Sequence, residues 1–145
     1  AEAERKARRA VALAPLRSLN YRYLGLVLLS EAKLGNAGRI QEGEAAYAQC
    51  LELAPQDVLV MVEWARAEIE LGRPRRALEP ANRAAALYPE QAEPLAVLAR
   101  AHLALGETDP ARVALERSLG ANWRGDEDAR REAERTLLGL RAARP

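Results

Sequence analysis

Catalysis requires converging titratable groups or a bound metal, and this chain has few residues that could supply either. It holds one histidine, His102, and one cysteine, Cys50. A lone thiol can form no intramolecular disulfide and no cysteine-based metal cluster. No glycine loop able to cradle a phosphate, no paired-carboxylate site and no metal-ligand spacing occurs along the sequence. The residues therefore assign no catalytic site, no metal and no cofactor, and the chain reads as a non-enzyme. Basic clusters stand at Arg5, Lys6, Arg8 and Arg9 and again at Arg73, Arg75 and Arg76. Each lies near glutamates or at a turn, without interleaved aromatics on which bases could stack. A formal net charge of +1, from 22 basic and 21 acidic residues, leaves no global field to draw in nucleic acid or an anionic membrane. Solvated surface is the better account of both clusters, and no nucleic acid is expected as a partner.

The elements that position these residues are helical. Nearly half of the 145 residues are apolar, aromatics are 4% and phenylalanine is absent. A chain dominated by Ala, Leu, Arg and Glu favours close-packed helices over a sheet. Arginine outnumbers lysine 20 to 2, a weak hint of a GC-rich, bacterial source. No apolar run approaches the about 20 residues needed to cross a bilayer, and Ala1 to Arg9 lacks the apolar stretch of a signal peptide. The chain is expected to be soluble, in a bacterial cytoplasm or periplasm, without inserting into a membrane.

A fixed period organises the helices. Pro55 and Pro89 lie 34 residues apart, as do Gly72 and Gly106, Ala65 and Ala99, Ala77 and Ala111, and Arg66 and Arg100. In this register Leu59 to Leu71 and Pro74 to Leu87 form one helix pair, separated by Gly72 and Arg73. Pro94 to Leu105 begins a second pair. Gly106 breaks it, Thr108 is the expected cap of the partner helix, and Pro110 sits in that helix's first turn, where a missing N–H costs little.

These residues resemble the tetratricopeptide repeat. Its pattern has a large and a small residue at the seventh and eighth positions, small residues at the twentieth and twenty-seventh, and proline at the thirty-second. Trp64-Ala65, Ala77, Ala84 and Pro89 occupy those places in one unit, and Leu98-Ala99, Ala111 and Ser118 in the next. Small residues at a helix crossing let two backbones approach, and the proline ends the second helix. The resemblance implies an all-α fold: a right-handed α-solenoid of antiparallel helix pairs with a C-terminal capping helix. As one domain over 1–145 it would comprise a lone second helix at 1–15, repeats at 20–55, 56–89 and 90–120, and a cap at 126–143. The likeness runs over roughly residues 1 to 120 and is specific for fold far more than for partner.

The sequence departs from the pattern in places. The first full unit has Tyr47, Cys50 and Pro55 where expected, but Gly43 stands where alanine is usual and Leu28 is bulky where a small residue belongs. Asn36, Ala37 and Gly38 lengthen the turn by about three residues, so a splayed hairpin or an enlarged loop is expected. Ala3, Ala7, Ala10 and Pro15 repeat the spacing of Ala77, Ala81, Ala84 and Pro89, so residues 1 to 14 read as the second helix of a repeat lacking its first. On that reading the chain is a piece of a longer array. Pro80, well inside a helix, should remove a hydrogen bond at about 3 kcal/mol and produce a kink or a late start. After Leu119 the period fails. Trp123 replaces the terminal proline within a loop from Gly120 to Gly125, and Asp126 caps a helix whose Ala129, Ala133, Leu137 and Leu140 give a narrow apolar stripe.

By the same register Glu31, Glu68 and His102 share the eleventh position, and Glu68 and His102 are expected to meet as a buried polar contact between hairpins. Cys50 is expected to be an inert buried thiol. The resemblance further implies that first helices line a concave groove through their second, fifth, sixth, ninth, twelfth and thirteenth positions. These are Arg22, Gly25, Leu26, Leu29, Ala32 and Lys33, then Leu59, Val62, Glu63, Arg66, Ile69 and Glu70, then Glu93, Ala96, Val97, Arg100, Leu103 and Ala104. The expected partner is an amphipathic helix or extended segment of another protein. Its apolar anchors would rest on Leu29, Val62, Ile69 and Leu103, and its acidic groups would pair with Arg66 and Arg100. Lys33 is the only groove lysine and no first-helix asparagine follows Asn20, which disfavours the lysine–asparagine clamp that some family members close on a C-terminal carboxylate. Two roles follow: an interaction scaffold in a bacterial multiprotein assembly, of the envelope or export kind in which similar arrays occur, or a self-association module that makes the parent protein a homo-oligomer.

Overall fold

A computed structural model describes residues 2–143. Ala1, Arg144 and Pro145, part of the expected domain 1–145, lie outside the described residues. The described residues form eight α-helices: α1 (Glu2–Leu13), α2 (Ser18–Lys33), α3 (Ile40–Leu53), α4 (Val58–Glu70), α5 (Pro74–Leu87), α6 (Ala92–Ala104), α7 (Thr108–Leu119) and α8 (Glu127–Ala142). No strand occurs among them. Three hairpins, α2–α3, α4–α5 and α6–α7, have the most intimate helix pairing, and neighbouring hairpins stack through α2 on α4, α4 on α6 and α5 on α6. α1 packs on α2, and α8 closes the other end against α7.

Each hairpin turn is made the same way. The first helix overruns onto a glycine in the left-handed region, Gly35, Gly72 (φ +72°) or Gly106 (φ +73°), a conformation that a Cβ would strain. The N–H that follows each glycine reaches back to a carbonyl five residues earlier: Asn36 to Glu31 (3.1 Å), Arg73 to Glu68 (2.8 Å) and Glu107 to His102 (2.9 Å). These bonds satisfy carbonyls that a helix end otherwise leaves open. Residues 37–39, the extra length read in the first turn, form a 3-10 turn that leads directly into α3.

Small side chains set the helix spacing. Ala65, Ala77, Ala81, Ala84, Ala99 and Ala111 are fully buried, where nothing larger would let adjacent backbones come as close. Ser118 is equally buried and donates its hydroxyl to the Leu115 carbonyl at 2.7 Å. The large side chains of the centre are Tyr47, Met61, Leu95 and Leu29, and Tyr47 stacks on Trp64 with ring centroids 5.9 Å apart.

Of the two alternatives for the first hairpin the enlarged loop holds, as the turn at residues 37–39, and the helices are not splayed. A Cβ on Gly43 would lie 2.6 and 2.8 Å from Leu29 Cδ2 and Cγ and 3.3 Å from Leu28 Cβ, and a Cβ on Gly25 would lie 3.0 Å from the Tyr47 ring. Glycine on one helix thus accommodates a bulky neighbour on the other, and the pair keeps its close approach with the sizes exchanged.

Two further expectations are corrected. α5 begins at Pro74 and runs through Pro80 to Leu87, which removes the late start and leaves the kink as the expected alternative. The Pro80 ring is fully buried, and the carbonyl it deprives of a donor belongs to exposed Arg76, which water can reach. Thr108 is the first helical residue of α7; the capping position falls to Glu107, whose side chain makes no cap bond. Asp126 does cap α8, accepting from the Ala129 N–H at 3.0 Å. Ahead of it, the loop of residues 120–126 is fastened to the α5–α6 junction: Asn122 N–H donates to Glu90 O (2.8 Å), and Ala92 N–H donates to Asn122 O (3.0 Å).

Candidate partner-binding face

Helices α2, α4 and α6 stand side by side, and their outward stripes form the face on which the sequence places its candidate residues. Ion pairs cross it from helix to helix. Arg22 on α2 holds Glu63 on α4, with Nη2 2.7 Å from Oε2, and the other Glu63 oxygen accepts from the Tyr47 hydroxyl at 2.8 Å. The Glu63 bond raises the Arg22 guanidinium, and burial pushes the Tyr47 phenol upward. Lys33 on α2 pairs with Glu70 on α4, and Arg66 on α4 pairs with Glu93 on α6 at 2.7 Å. Arg100 lies in the same row, is exposed and, among the described residues, has no ion pair.

The expected charges are therefore mostly committed to one another. Arg66, expected to meet a partner's acid, is held by Glu93. The apolar expectations are also revised: Leu29 and Val62 are 1% and 2% exposed, so they are floor rather than free anchors. Packing against the next helix takes up their side chains. Ile69 is half-buried against the core. Leu26 and Leu59 do reach the surface here, 40% and 50% exposed.

Of the hollows that break the face, two take in Leu59 or Arg100. One, of about 200 Å³, lies between α2 and α4, with Leu29, Tyr47 and Val62 as floor and Leu26, Lys33, Leu59 and Glu70 around it. The other, of about 150 Å³, brings Ala96, Arg100 and Leu103 of α6 together with Trp123, Ala129, Glu132 and Thr136. From the sequence, the apolar stripe of α8 is expected to cap the last hairpin, with packing of some face side chains against this helix as the alternative to an open groove. That stripe does bury Ala133 and Leu137, but it also sets one wall beside α6.

The eleventh-position residues do not meet across hairpins. Each turns along its own hairpin toward the residue that caps the second helix: Glu31 to Arg39 (3.5 Å), Glu68 to Arg73 (3.6 Å) and His102 Nδ1 to Glu107 Oε2 (2.6 Å). The three-residue insertion explains why the first of these reaches eight residues on and the others five. The expected Glu68–His102 contact is replaced by two separate latches. Glu68 also accepts from the Trp64 indole at 3.0 Å. Cys50 is buried, and burial raises its thiol above the ordinary value, which withholds the reactive thiolate. The basic clusters are partly neutralised as well: Lys6 pairs with Glu2, Arg8 with Glu4 and Glu42, and Arg73 with Glu44.

Neither a protein-family model nor a curated protein matches the chain. Among solved structures it is similar to TTC0263, a thermophilic TPR protein of Thermus thermophilus, with a TM-score of 0.76 at 18% identity over 93% of this chain and 71% of that one. The fold is thus that of the tetratricopeptide repeat, an all-helical stack of packed helix pairs. No helix among the described residues is long and apolar enough to cross a membrane.

Proposed function

We propose that this chain is an interaction scaffold whose α2–α4–α6 face receives a helical or extended segment of another protein, as a component of a bacterial multiprotein assembly of the envelope or export kind. The observation that carries the reading is the charge arrangement. Arg22, Lys33 and Arg66 are matched by Glu63, Glu70 and Glu93, so a partner laid along the row meets a nearly neutral surface in which Arg100 has no ion pair among the described residues. Leu26 and Leu59 offer apolar contact beside one hollow, and Ala96 and Leu103 within the other. The complementary segment carries two apolar anchors and one carboxylate, which a guanidinium can bind through two parallel N–H donors. The remaining face residues, Arg22, Leu29, Lys33, Val62, Glu63, Ile69 and Glu70, act as the framework that keeps the row straight.

Panning a random-peptide display library against the protein tests this. Recovered binders should share apolar residues and an acidic one, and Arg100→Glu should weaken them about tenfold or more, equivalent to about 1.4 kcal/mol. Unchanged affinity in both Arg100→Glu and Leu59→Glu, with helicity retained, would overturn the assignment.

A second reading, self-association, is favoured by a separate feature. Leu19, Tyr23 and Leu26 follow one stripe of α2 and are 52%, 44% and 40% exposed, and Leu16, in the turn before it, is 85% exposed. The repeat counterparts of Tyr23, Val60 and Pro94, are fully buried beneath a neighbouring hairpin. A second copy docking there would give concentration-dependent mass in light scattering that Tyr23→Glu removes. A constant monomer mass would leave the scaffold reading alone.

A further inference from the structure

We propose that the junction of α3, α4 and the α4–α5 turn is a proton-binding site, in which Glu68 and Glu44 share one guanidinium, Arg73, and hold a single proton between them. Glu68 is wholly buried. Its Oε1 accepts from the Trp64 indole at 3.0 Å, while Oε2 lies 3.6 Å from Arg73 Nε, too far for a hydrogen bond, and has no hydrogen-bond partner. Arg73 gives its closer contact to Glu44, with Nη2 2.8 Å from Oε1. Glu44 Oε1, like Glu68 Oε2, is buried without a hydrogen-bond partner, and Arg73 draws both carboxyl groups to one place.

Two ionised carboxylates facing one guanidinium leave a negative charge uncompensated, and on the Glu68 side, which water does not reach, a buried charge without a partner is strongly unfavourable. One proton turns the repulsive contact into a carboxyl–carboxylate hydrogen bond and gives the open Glu68 oxygen a role. The groups facing Glu68 are Glu44 from α3, Trp64 from its own helix and Arg73 from the turn. From α6, the counterpart His102 is directed to Glu107 instead. Burial first, and the Glu44 carboxyl second, push Glu68 up to about 7 from its ordinary value of 4.5.

The direction of the pH dependence follows. A folded-state value above the unfolded one means that the proton's stabilisation is complete below about 4.5, declines as pH rises, and is gone above about 7. The site joins the second helix of one hairpin to the first helix and the turn of the next, so proton release loosens the seam between them.

Urea unfolding from about pH 4.5 to pH 8.5 tests this on the wild-type chain and on Glu68→Gln, a neutral mimic of the protonated side chain. The wild-type midpoint should fall relative to the variant until about pH 7 and then run level with it. In Glu44→Gln, which removes the like charge, the fall should end at lower pH. Parallel wild-type and Glu68→Gln profiles would overturn the proposal. Should Glu68→Gln not fold, the carbon-13 shift of the wild-type Glu68 carboxyl decides: titration near neutrality supports the site, and titration near 4.5 refutes it.

Discussion

Replacing glycine by alanine at two helical positions should move stability in opposite directions. Within α8, Gly139 has nothing within 4 Å of where a Cβ would stand, so Gly139→Ala collects the helix-propensity gain of about 1 kcal/mol. Within α3, Gly43→Ala has the same gain but drives its methyl to 2.6 and 2.8 Å from two atoms of Leu29. Leu29 is 1% exposed and can yield only by leaving its packed position for the hollow that it floors. Overpacking of this kind costs about 1–3 kcal/mol, and three close approaches place Gly43→Ala toward the upper end. The net expectation is a loss of about 1–2 kcal/mol, so the two variants should differ by about 2–3 kcal/mol. At about 2–4 °C per kcal/mol for a chain near this size, calorimetry should place their melting temperatures about 5–10 °C apart on opposite sides of the wild type. A double-mutant cycle with Leu29→Ala adds a second measurement. That change alone should cost about 2–5 kcal/mol through its cavity, and less in the Gly43→Ala background, where the new methyl occupies part of the void. Urea titrations should give a coupling of at least about 0.5 kcal/mol. A Gly43→Ala protein as stable as the wild type, or a cycle without coupling, would refute the idea that glycine and leucine have exchanged sizes across this hairpin.

The Arg22–Glu63–Tyr47 cluster makes an asymmetric prediction. Tyr47→Phe leaves Glu63 bound by Arg22 and should cost about 1 kcal/mol in urea unfolding, whereas Glu63→Ala strands both a buried hydroxyl and a guanidinium and should cost about 1–3 kcal/mol. For Cys50, an aromatic disulfide reagent at neutral pH should label the folded protein only at the rate of opening and label it stoichiometrically in denaturant. Rapid labelling of the native state would contradict its burial.

Much of the fold could be read from spacing alone because the constraints are local and steric. A glycine that must turn left-handed and an alanine at a crossing recur at 34 residues, and their meaning does not depend on distant partners. Gly43 and Leu28 looked like faults for the opposite reason. Glycine is unfavourable in a helix by itself, and only the juxtaposition of Gly43 with Leu29 across two helices makes it fit. The candidate face was harder still. Whether Arg66 is free or bound to Glu93 depends on how far one hairpin is rotated over the next, and no pattern within a single repeat carries that angle. The same rotation buries Leu29 and Val62 while leaving Leu26 and Leu59 at the surface. Glu68 and His102 were correctly seen to share a position, but that position points along its own hairpin, so a common register led to the wrong partner.

The two backbone hydrogen bonds between Asn122 and the strip from Glu90 to Ala92 give the array unequal ends. A stack of hairpins ordinarily frays from either terminus, each unit being held only by its neighbour. Here the segment leading into the final helix is tied back behind the last hairpin, like a strap passed around the final slat of a blind, so that α6 and α7 cannot peel away while α8 stays seated. Stepwise melting is thereby biased to begin from α1 and α2, and amide exchange should slow progressively from there toward the strapped end.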